Sequence, residues 1–394
     1  MMNLEKRFIE IHDLLKDHEI LIQTEALDIY PNIPEKYLIW IDFLAMLEPL
    51  EKRTIENELT FDNYQNIPSS YKELLEKIIS LTSLPQLDTP SKNLDKTLTK
   101  KMTLKKQHEI SIITSQLQAK DIRHIIDIGS GAGHLSSVLL HNNNRRSLCI
   151  DKEEKFQKIG VDKFKRDMPE LLDRLSFQTG SFNRNTNLKT LPESIVIGLH
   201  ACGNLSVDIL KNTISTHANM ILNYGCCFHK LDHTHINLSK ITKQHPMKLS
   251  NHALTMAAKS HKVLTSQDIL KRTKVKNFRY TLHLLLDCNF ETMGNATKKD
   301  YSGSFSDYVL KFVPNIQRSK EETQAFFESP NTKVEVQKIL NLGIIRSHFA
   351  RLIELYLIFD RALYLEENGF TVELVEAFDR SLSPRNISLF ASRN

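Results

Sequence analysis

The sequence contains no run of apolar residues long enough to cross a membrane, and its start, MMNLEKRFIEIHDLL, has the features of neither a signal peptide nor a transit peptide. It is poor in cysteine, with 5 among 394 residues, and these lie in hydrophobic segments without a disulfide-like spacing. The net charge of +5 is mild and compatible with an anionic partner without requiring one. These features predict a reduced intracellular protein, cytoplasmic with the nucleus as the alternative, that has no membrane partner.

The strongest local signal lies in residues 125–136, which read IIDIGSGAGHLS. An apolar run with one acid, Asp127, stops at a glycine-rich turn, and a helical pattern starts at Leu135, which indicates strand, turn and helix. The turn contains Gly129, Gly131 and Gly133. Dinucleotide sites usually have the spacing G-x-G-x-x-G, whereas this turn has G-x-G-x-G with an acid two residues before the first glycine. This is the pattern of proteins that bind S-adenosylmethionine.

A second strand candidate, residues 147–151, ends in Asp151, about 20 residues after the glycines. A vicinal diol presents two hydrogen-bond donors, and an ionised carboxylate offers paired acceptors. Asp151 therefore suits the ribose hydroxyls of a nucleoside cofactor. The alternative is a solvated acid at the end of a strand.

Patterns along the rest of the chain predict an α/β fold. A helical region over residues 1–84, which packs on the core or offers a surface to a partner protein, precedes a polar linker over residues 85–100. Alternating strands and helices over residues 101–231 predict a Rossmann-like parallel sheet with helices on both faces. A helical insertion over residues 232–369 and a β-hairpin over residues 370–394, docked on the edge of the same sheet, complete a domain of residues 101–394.

Polar tails follow the next two strand candidates, HACG after the fourth and GCCFHK after the fifth. Ligands of parallel sheets sit beyond the carboxyl ends of the strands, so these tails are expected to converge on the site. The candidate catalytic residues are His200, Cys202, Cys226 and Cys227. His200 suits a general base or a donor that orients the acceptor, and the alternative is a cap on the next helix.

The same cysteines also raise the alternatives of a metal site, of buried thiols that fill tight turns and of a thiolate nucleophile, although no motif for a methyl relay between two cysteines is present. There is no C-x-x-C pair, and the adjacent Cys226 and Cys227 are not expected to face one ion. No bound metal is therefore predicted.

A predicted amphipathic helix over residues 100–118 leads into the first strand and begins with a polar cluster. As a lip over the cofactor or acceptor, this cluster supplies candidate substrate-binding residues, to which His229 is added. They are Lys105, Lys106, His108, Glu109 and His229. The alternative for the cluster is an ordinary polar helix terminus.

From about residue 100 to the C-terminus the chain resembles the methyltransferase-like protein 25 family. The resemblance is carried by MTLKKQHEI, IDIGSGAGHLS, GLHACGNLS, NYGCCFHKL, DRALYLEENGF and LSPRNISL. It implies a Rossmann-like S-adenosylmethionine methyltransferase core, with cofactor residues at Asp127, Gly129, Gly131, Gly133, His134 and Asp151. Adjoining residues expected to line the same site are Ser130, Leu135, Lys152, Ser181, Phe182 and His200.

The sequence departs from that family at three places. Thr103-Leu104-Lys105-Lys106 stands where members usually read SPKK, and Asn204 stands where they have an acid. Asp151 replaces a frequent glutamate but keeps the carboxylate. The HACG and GCC tails also resemble those of the tRNA 2′-O-methyltransferases that modify the acceptor stem.

Together these features predict an S-adenosylmethionine-dependent methyltransferase with a macromolecular acceptor, tRNA or rRNA being favoured. The alternatives are a protein methyltransferase acting on the translation machinery and a non-catalytic binding module with this fold. An intact glycine turn and ribose carboxylate argue against the binding module. The absence of an N-P-P-[YF] tetrapeptide argues against adenine N6 chemistry.

Overall fold

The structure, a computed structural model, describes residues 3–61, 64, 66–100, 102–141, 143–260, 265–287 and 296–393. The fifth cysteine, Cys288, lies outside these residues. The chain forms two compact units, each built from separate stretches of sequence. One unit comprises Met1–Glu19, Ile79–Lys262 and Ala350–Asn394, and the other comprises Ile20–Ile78 and Val263–Phe349. The predicted division at residues 84, 100 and 231 groups the chain differently and stays a prediction.

Seven strands form one sheet. They are β1 (His124–Ile128), β2 (Arg146–Asp151), β3 (Leu175–Thr179), β4 (Ser194–Cys202), β5 (Met220–Cys226), β6 (Thr371–Glu376) and β7 (Ile387–Ser392).

The described α-helices, in chain order, are α1 (Leu4–Asp17), α2 (Glu19–Gln23), α3 (Ala26–Ile29), α4 (Glu35–Met46), α5 (Pro49–Glu58), α6 (Ser69–Thr82), α7 (Lys96–Thr99), α8 (Leu104–Gln116), α9 (His134–Leu140), α10 (Glu154–Asp167), α11 (Asn204–Ile214), α12 (Lys240–Gln244), α13 (Asn251–Ala257), α14 (Ser266–Leu285), α15 (Phe305–Phe312), α16 (Lys320–Glu328), α17 (Pro330–Ser347) and α18 (Ala350–Glu366). Short 3₁₀ turns are formed by Pro169–Leu171, Phe228–Lys230, His233–His235 and Lys298–Tyr301.

The strand order is β3-β2-β1-β4-β5-β7-β6, with β1 to β5 parallel and β7 antiparallel to both its neighbours. This confirms the predicted Rossmann-like sheet and the terminal hairpin that joins it. The central strands are continuous apolar runs because helices cover both faces of a parallel sheet. Strand β1, for example, is buried over four of its five residues.

The helices of the first unit can also be explained from their residues. Helix α8 begins where Thr103 Oγ1 accepts a hydrogen bond from the Lys106 amide at 3.3 Å, a serine/threonine type of N-cap. Helix α18 is apolar around most of its circumference and is buried along almost its whole length, as expected for a helix inside a core. Phe8 of α1 packs against Tyr356 of α18 with ring centroids 5.0 Å apart.

The second unit has its own apolar core. Phe278 of α14 meets Phe305 and Tyr308 of α15 with ring centroids 5.6 and 5.3 Å away. Buried Tyr71 of α6 hydrogen-bonds His348 Nε2 at 2.7 Å. In the described part of the chain, no helix is long and apolar enough to cross a membrane.

Candidate functional site

The glycine turn between β1 and α9 has a backbone that only glycine adopts easily. Gly129, Gly131 and Gly133 have φ angles of +72°, +56° and +71°. This left-handed region is sterically costly for residues that carry a Cβ atom. A Cβ atom built on Gly131 would meet nothing within 4 Å, so this glycine borders open space at the end of β1.

Asp151, at the end of β2, is held against that turn. Its Oδ2 accepts a hydrogen bond from the Gly131 amide at 2.8 Å, and its Oδ1 accepts one from the Glu153 amide at 2.9 Å. The side chain is half-buried, and each carboxylate oxygen retains a further acceptor position. The carboxylate therefore lies next to the open face of Gly131, oriented by the backbone.

Asp127 occupies a different environment from Asp151. It is 2% exposed, and its Oδ2 accepts a hydrogen bond from Ser136 Oγ at 3.0 Å. Burial raises its pKa to about 6, and the bond from Ser136 opposes that rise only in part. The observed contact thus joins β1 to α9, and the cofactor role of Asp127 stays a prediction.

His134, at the start of α9, is surrounded by positive charge. Its Nδ1 accepts a hydrogen bond from Lys163 Nζ at 2.9 Å. Burial, together with the charges of Lys106 and Lys163, lowers the pKa of His134 to about 3, so the imidazole is neutral at neutral pH. Burial also lowers the pKa of both lysines. The structure therefore brings together His134, a predicted cofactor residue, and Lys106, a predicted substrate-binding residue. Lys163 also belongs to this group, although nothing in the sequence of α10 indicated it.

Gln157 of α10 is a second residue that the sequence did not reveal. Its Nε2 donates to the Gly131 carbonyl at 2.7 Å and to Ser130 Oγ at 3.2 Å. Its Oε1 is buried and has no hydrogen-bond partner among the described residues. The turn thus carries an unused acceptor beside Ser130 and Gly131.

The other predicted cofactor residues vary in position. Leu135 is buried in the core, and Phe182 packs against a cluster that contains Ile126 and Ile150. Lys152 and Ser181 are exposed, and Lys152 Nζ lies 3.8 Å from Glu153 Oε1.

A buried carboxylate and a histidine meet where α8 faces β4. His200 Nε2 donates to Glu109 Oε1 at 2.9 Å, and Ser383 Oγ donates to the same oxygen at 2.5 Å. Glu109 is 3% exposed, with Lys105 Nζ 3.6 Å away. Burial raises the pKa of Glu109, but the hydrogen bond and charge of His200, with the bond from Ser383, outweigh it and hold the pKa below its usual value.

This arrangement makes Glu109 a partner of a candidate catalytic residue as well as a member of the predicted lip. The side chain of His200 is 29% exposed and is bound to Glu109 rather than to a helix terminus. Helix α11 begins after Gly203 instead. Two other candidate substrate-binding residues are histidines. His108, next to Glu109, accepts a hydrogen bond at Nε2 from the Asp379 amide at 3.0 Å. His229 is exposed on the 3₁₀ turn of Phe228–Lys230.

Three thiols converge at the ends of β4 and β5. Cys202 Sγ lies 3.1 Å from Cys226 Sγ and 3.2 Å from Cys227 Sγ. All three sulfur atoms lie within 4.8 Å of one another. The expectation that the adjacent Cys226 and Cys227 do not face one ion is therefore corrected.

The thiols share their hydrogen bonds unequally. The bond with Cys226, and a second with Cys227, lower the pKa of Cys202 to about 5 despite partial burial. The pKa of Cys226 is raised by its bond with Cys202 and by burial, and burial raises that of Cys227. The lowered pKa favours the thiolate form of Cys202 over those of Cys226 and Cys227.

Comparison with known proteins agrees with this geometry. A family model described as a methyltransferase domain matches residues 104–234, about a third of the chain. This segment runs from the start of α8 through β5 and contains the glycine turn, Asp151, His200 and the three cysteines. The chain therefore carries a methyltransferase domain.

Several solved methyltransferase structures are similar to this chain, with low sequence identity and low TM-scores. The methyltransferase domain of a bacterial Hen1 protein is 19% identical, with a TM-score of 0.26, over 30% of this chain and 64% of that one. A SAM-dependent methyltransferase from Thiobacillus denitrificans, in complex with S-adenosyl-L-homocysteine, is 12% identical, with a TM-score of 0.25, over 32% of this chain and 52% of that one. A SAM-dependent methyltransferase from Aquifex aeolicus is 15% identical, with a TM-score of 0.25, over 33% and 72%. The chain thus spans about half to two thirds of the first two proteins.

Proposed function

We propose that this protein is an S-adenosylmethionine-dependent methyltransferase whose acceptor is a macromolecule, with RNA preferred. The observation that carries the proposal is the Asp151 carboxylate, fixed by the Gly131 amide beside the open face of the glycine turn. A ribose diol can donate to the remaining acceptor positions of that carboxylate.

The residues around the turn fit this cofactor. Gly131 leaves open a space that a Cβ atom would fill, and Gln157 Oε1 is a buried acceptor without a partner among the described residues. Lys106 and Lys163 place positive charge next to His134. This positive charge suits the carboxylate of the methionine part of the cofactor. The expectation drawn from the sequence agrees with the cofactor class of the similar solved structures.

Bound S-adenosylmethionine supplies an activated methyl group on a sulfonium. The protein has to hold the acceptor in line with it, exclude water and, for a protonated acceptor, remove a proton. We assign the last task to His200, because it lies at the carboxyl end of β4 and is partly exposed. Glu109 orients the His200 imidazole through Nε2, which leaves Nδ1 to face the acceptor.

Two observations favour RNA as the acceptor. The HACG and GCC tails resemble those of tRNA 2′-O-methyltransferases, and the exposed Lys105 and Lys230 lie close to Glu109 and to Cys202. Lysines at the rim of a site suit phosphates. A protein of the translation machinery is the alternative acceptor, and a partner protein on the N-terminal helices stays a prediction.

Calorimetric titration of the purified full-length chain with S-adenosylmethionine and S-adenosylhomocysteine tests the cofactor. We expect saturable binding of both, weakened at least about tenfold by Asp151→Ala, because each charge-assisted hydrogen bond contributes about 1.5–3 kcal/mol. Glu153→Ala, which removes the neighbouring exposed acid, is the control and should bind normally. Normal binding by Asp151→Ala would remove the ribose role.

Labelled methyl donor incubated with separate RNA and protein fractions identifies the acceptor class. For an RNA acceptor we expect label in RNA, together with RNA binding that weakens steeply as salt increases. Label in protein alone would select the alternative. Cofactor binding without transfer to either fraction would indicate a binding module.

A further inference from the structure

We propose that Cys202, Cys226 and Cys227 form a three-thiolate site for one zinc ion, with the fourth coordination position open. In the described part of the chain this is the one group of histidine, cysteine and acidic side chains whose ligand atoms lie close enough together to hold a metal ion. The proposal departs from the expectation, drawn from spacing alone, that no metal is bound.

The backbone explains how two adjacent cysteines serve one site. Successive side chains of an extended strand point to opposite faces, which would separate Cys226 from Cys227. Cys227 instead has a φ angle of +51°, in the left-handed region, immediately after β5 ends. This reversal brings its sulfur to the side of Cys226, and Cys202 is the direct partner of Cys226 in the β4–β5 register. A cysteine held in a conformation that favours glycine is typical of a functional constraint.

The ligand set selects a soft or borderline metal. Thiolates favour zinc over hard ions such as Mg²⁺ and Ca²⁺, and zinc accepts three protein ligands plus one exchangeable group. For zinc–sulfur bonds of about 2.3 Å, a tetrahedral site needs sulfur atoms roughly 3.8 Å apart. The sulfur atoms lie 3.1 and 3.2 Å from Cys202 Sγ, so a small rotation of each side chain opens the group enough for one ion.

Charge and exposure also suit an open site. Cys202 and Cys227 are half-buried, whereas Cys226 is buried, so the group is partly accessible to solvent. Lys230 is near enough to exert its positive charge on both Cys202 and Cys227, which offsets the net negative charge of zinc with three thiolates. The open position takes one nitrogen, oxygen or sulfur donor. We assign this position to the methyl acceptor, and that assignment rests on the proposed function. The binding of zinc itself does not depend on the proposed function.

The test is the metal content of the full-length protein, purified with a reductant and without chelators, in the absence of any methyl donor. We expect one zinc ion per chain by elemental analysis. Replacement by Co²⁺ should produce the thiolate-to-metal charge-transfer bands of a sulfur-rich four-coordinate site. Because no cofactor is present, the outcome is independent of the calorimetric test of the proposed function.

Two ligand variants and a control complete the experiment. Cys202→Ser and Cys227→Gly should each reduce zinc to background. The second should also fold well, since glycine relieves the left-handed backbone of position 227. Cys149→Ser changes a buried thiol on β2 that donates to Ser136 of α9, and it should keep the full zinc content. Wild-type protein without zinc or cobalt bands after loading, or unchanged zinc in both ligand variants, would overturn the proposal.

Discussion

At the scale of single residues, Gly131 and Gly369 form a matched pair. Both have left-handed backbones, with φ angles of +56° and +82°, and a Cβ atom on either would meet nothing within 4 Å. Only Gly131 lies at the candidate cofactor site. Alanine at either position should cost about 1–2 kcal/mol of folding free energy through backbone strain.

We expect Gly131→Ala to weaken S-adenosylmethionine binding at least about tenfold, because the added methyl group enters space that the cofactor is proposed to occupy. Calorimetry measures the affinity, and thermal unfolding measures the strain. Gly369→Ala should show a similar loss of stability with unchanged affinity. Equal affinities for the two variants would mean that the cofactor does not contact Gly131.

The raised pKa of Asp127 predicts that the stability of the fold depends on pH. Burial raises its pKa from 3.8 to about 6 in the folded protein, so between these pH values the folded chain holds a proton that the unfolded chain has lost. The stability from this group is complete below pH 3.8 and falls by about 3 kcal/mol as the pH rises through 6.

Asp127→Asn lacks this titration. We therefore expect its free energy of unfolding, relative to wild type, to rise by about 2.5 kcal/mol between pH 4 and pH 7. Urea unfolding at several pH values measures the difference. A difference that is constant with pH would contradict the raised pKa of Asp127.

At the scale of elements, the end of β4 presents His200 through an irregularity of the strand. The β4–β5 register shifts between Leu199 and Ala201, and His200 between them has a φ angle of +58°. Such a bulge redirects a side chain at the edge of a site. Here it aims the imidazole at Glu109 on α8, so the candidate acid–base group is assembled from two elements.

We expect His200→Ala to slow methyl transfer about 10²- to 10⁴-fold while sparing cofactor affinity. Glu109→Gln keeps an acceptor for His200 Nε2 but loses the charge, so its effect should be smaller, roughly tenfold. Single-turnover transfer and calorimetry separate the two quantities. His217→Ala, an exposed histidine before β5, is the control. Unchanged turnover in His200→Ala would remove this residue from the mechanism.

At the scale of the first unit, a buried ionic network joins segments far apart in sequence. Glu354 of α18 contacts Arg351 Nη1 at 2.8 Å and Arg385 Nη1 at 3.0 Å, and Arg351 also reaches Glu376 at the end of β6. Burial raises the pKa of Glu354, but the two guanidinium charges outweigh it and lower the pKa overall. The network anchors the hairpin of β6 and β7 to α18.

Glu354→Gln should cost about 3–5 kcal/mol of folding free energy, because it leaves buried arginine charges without their partner. Glu366→Gln, at the exposed end of the same helix, should leave the stability unchanged. Chemical denaturation of both variants checks the comparison. Equal stabilities would mean that the network is not a main support of this unit.

The sequence and the structure agree best where the signal is local. The glycine turn, the strand that ends in Asp151 and the parallel sheet were predictable because residue type and periodicity report on neighbouring residues. Gln157, Lys163 and Ser383 were not predictable, since each meets its partner from another element. The expectation that Cys226 and Cys227 do not face one ion was wrong, because the left-handed backbone of Cys227 brings its sulfur close to the other two.

By itself the sequence determined the class of fold and the position of the glycine turn, because left-handed glycines and apolar runs impose their backbone locally. The tertiary structure alone decided which side chains meet. Glu109 and His200 are 91 residues apart, Glu109 and Ser383 are 274 apart, and Cys202 meets Cys226 and Cys227 only because β4 and β5 are neighbours in the sheet. Such contacts depend on the packing of whole elements, which no short stretch of sequence encodes.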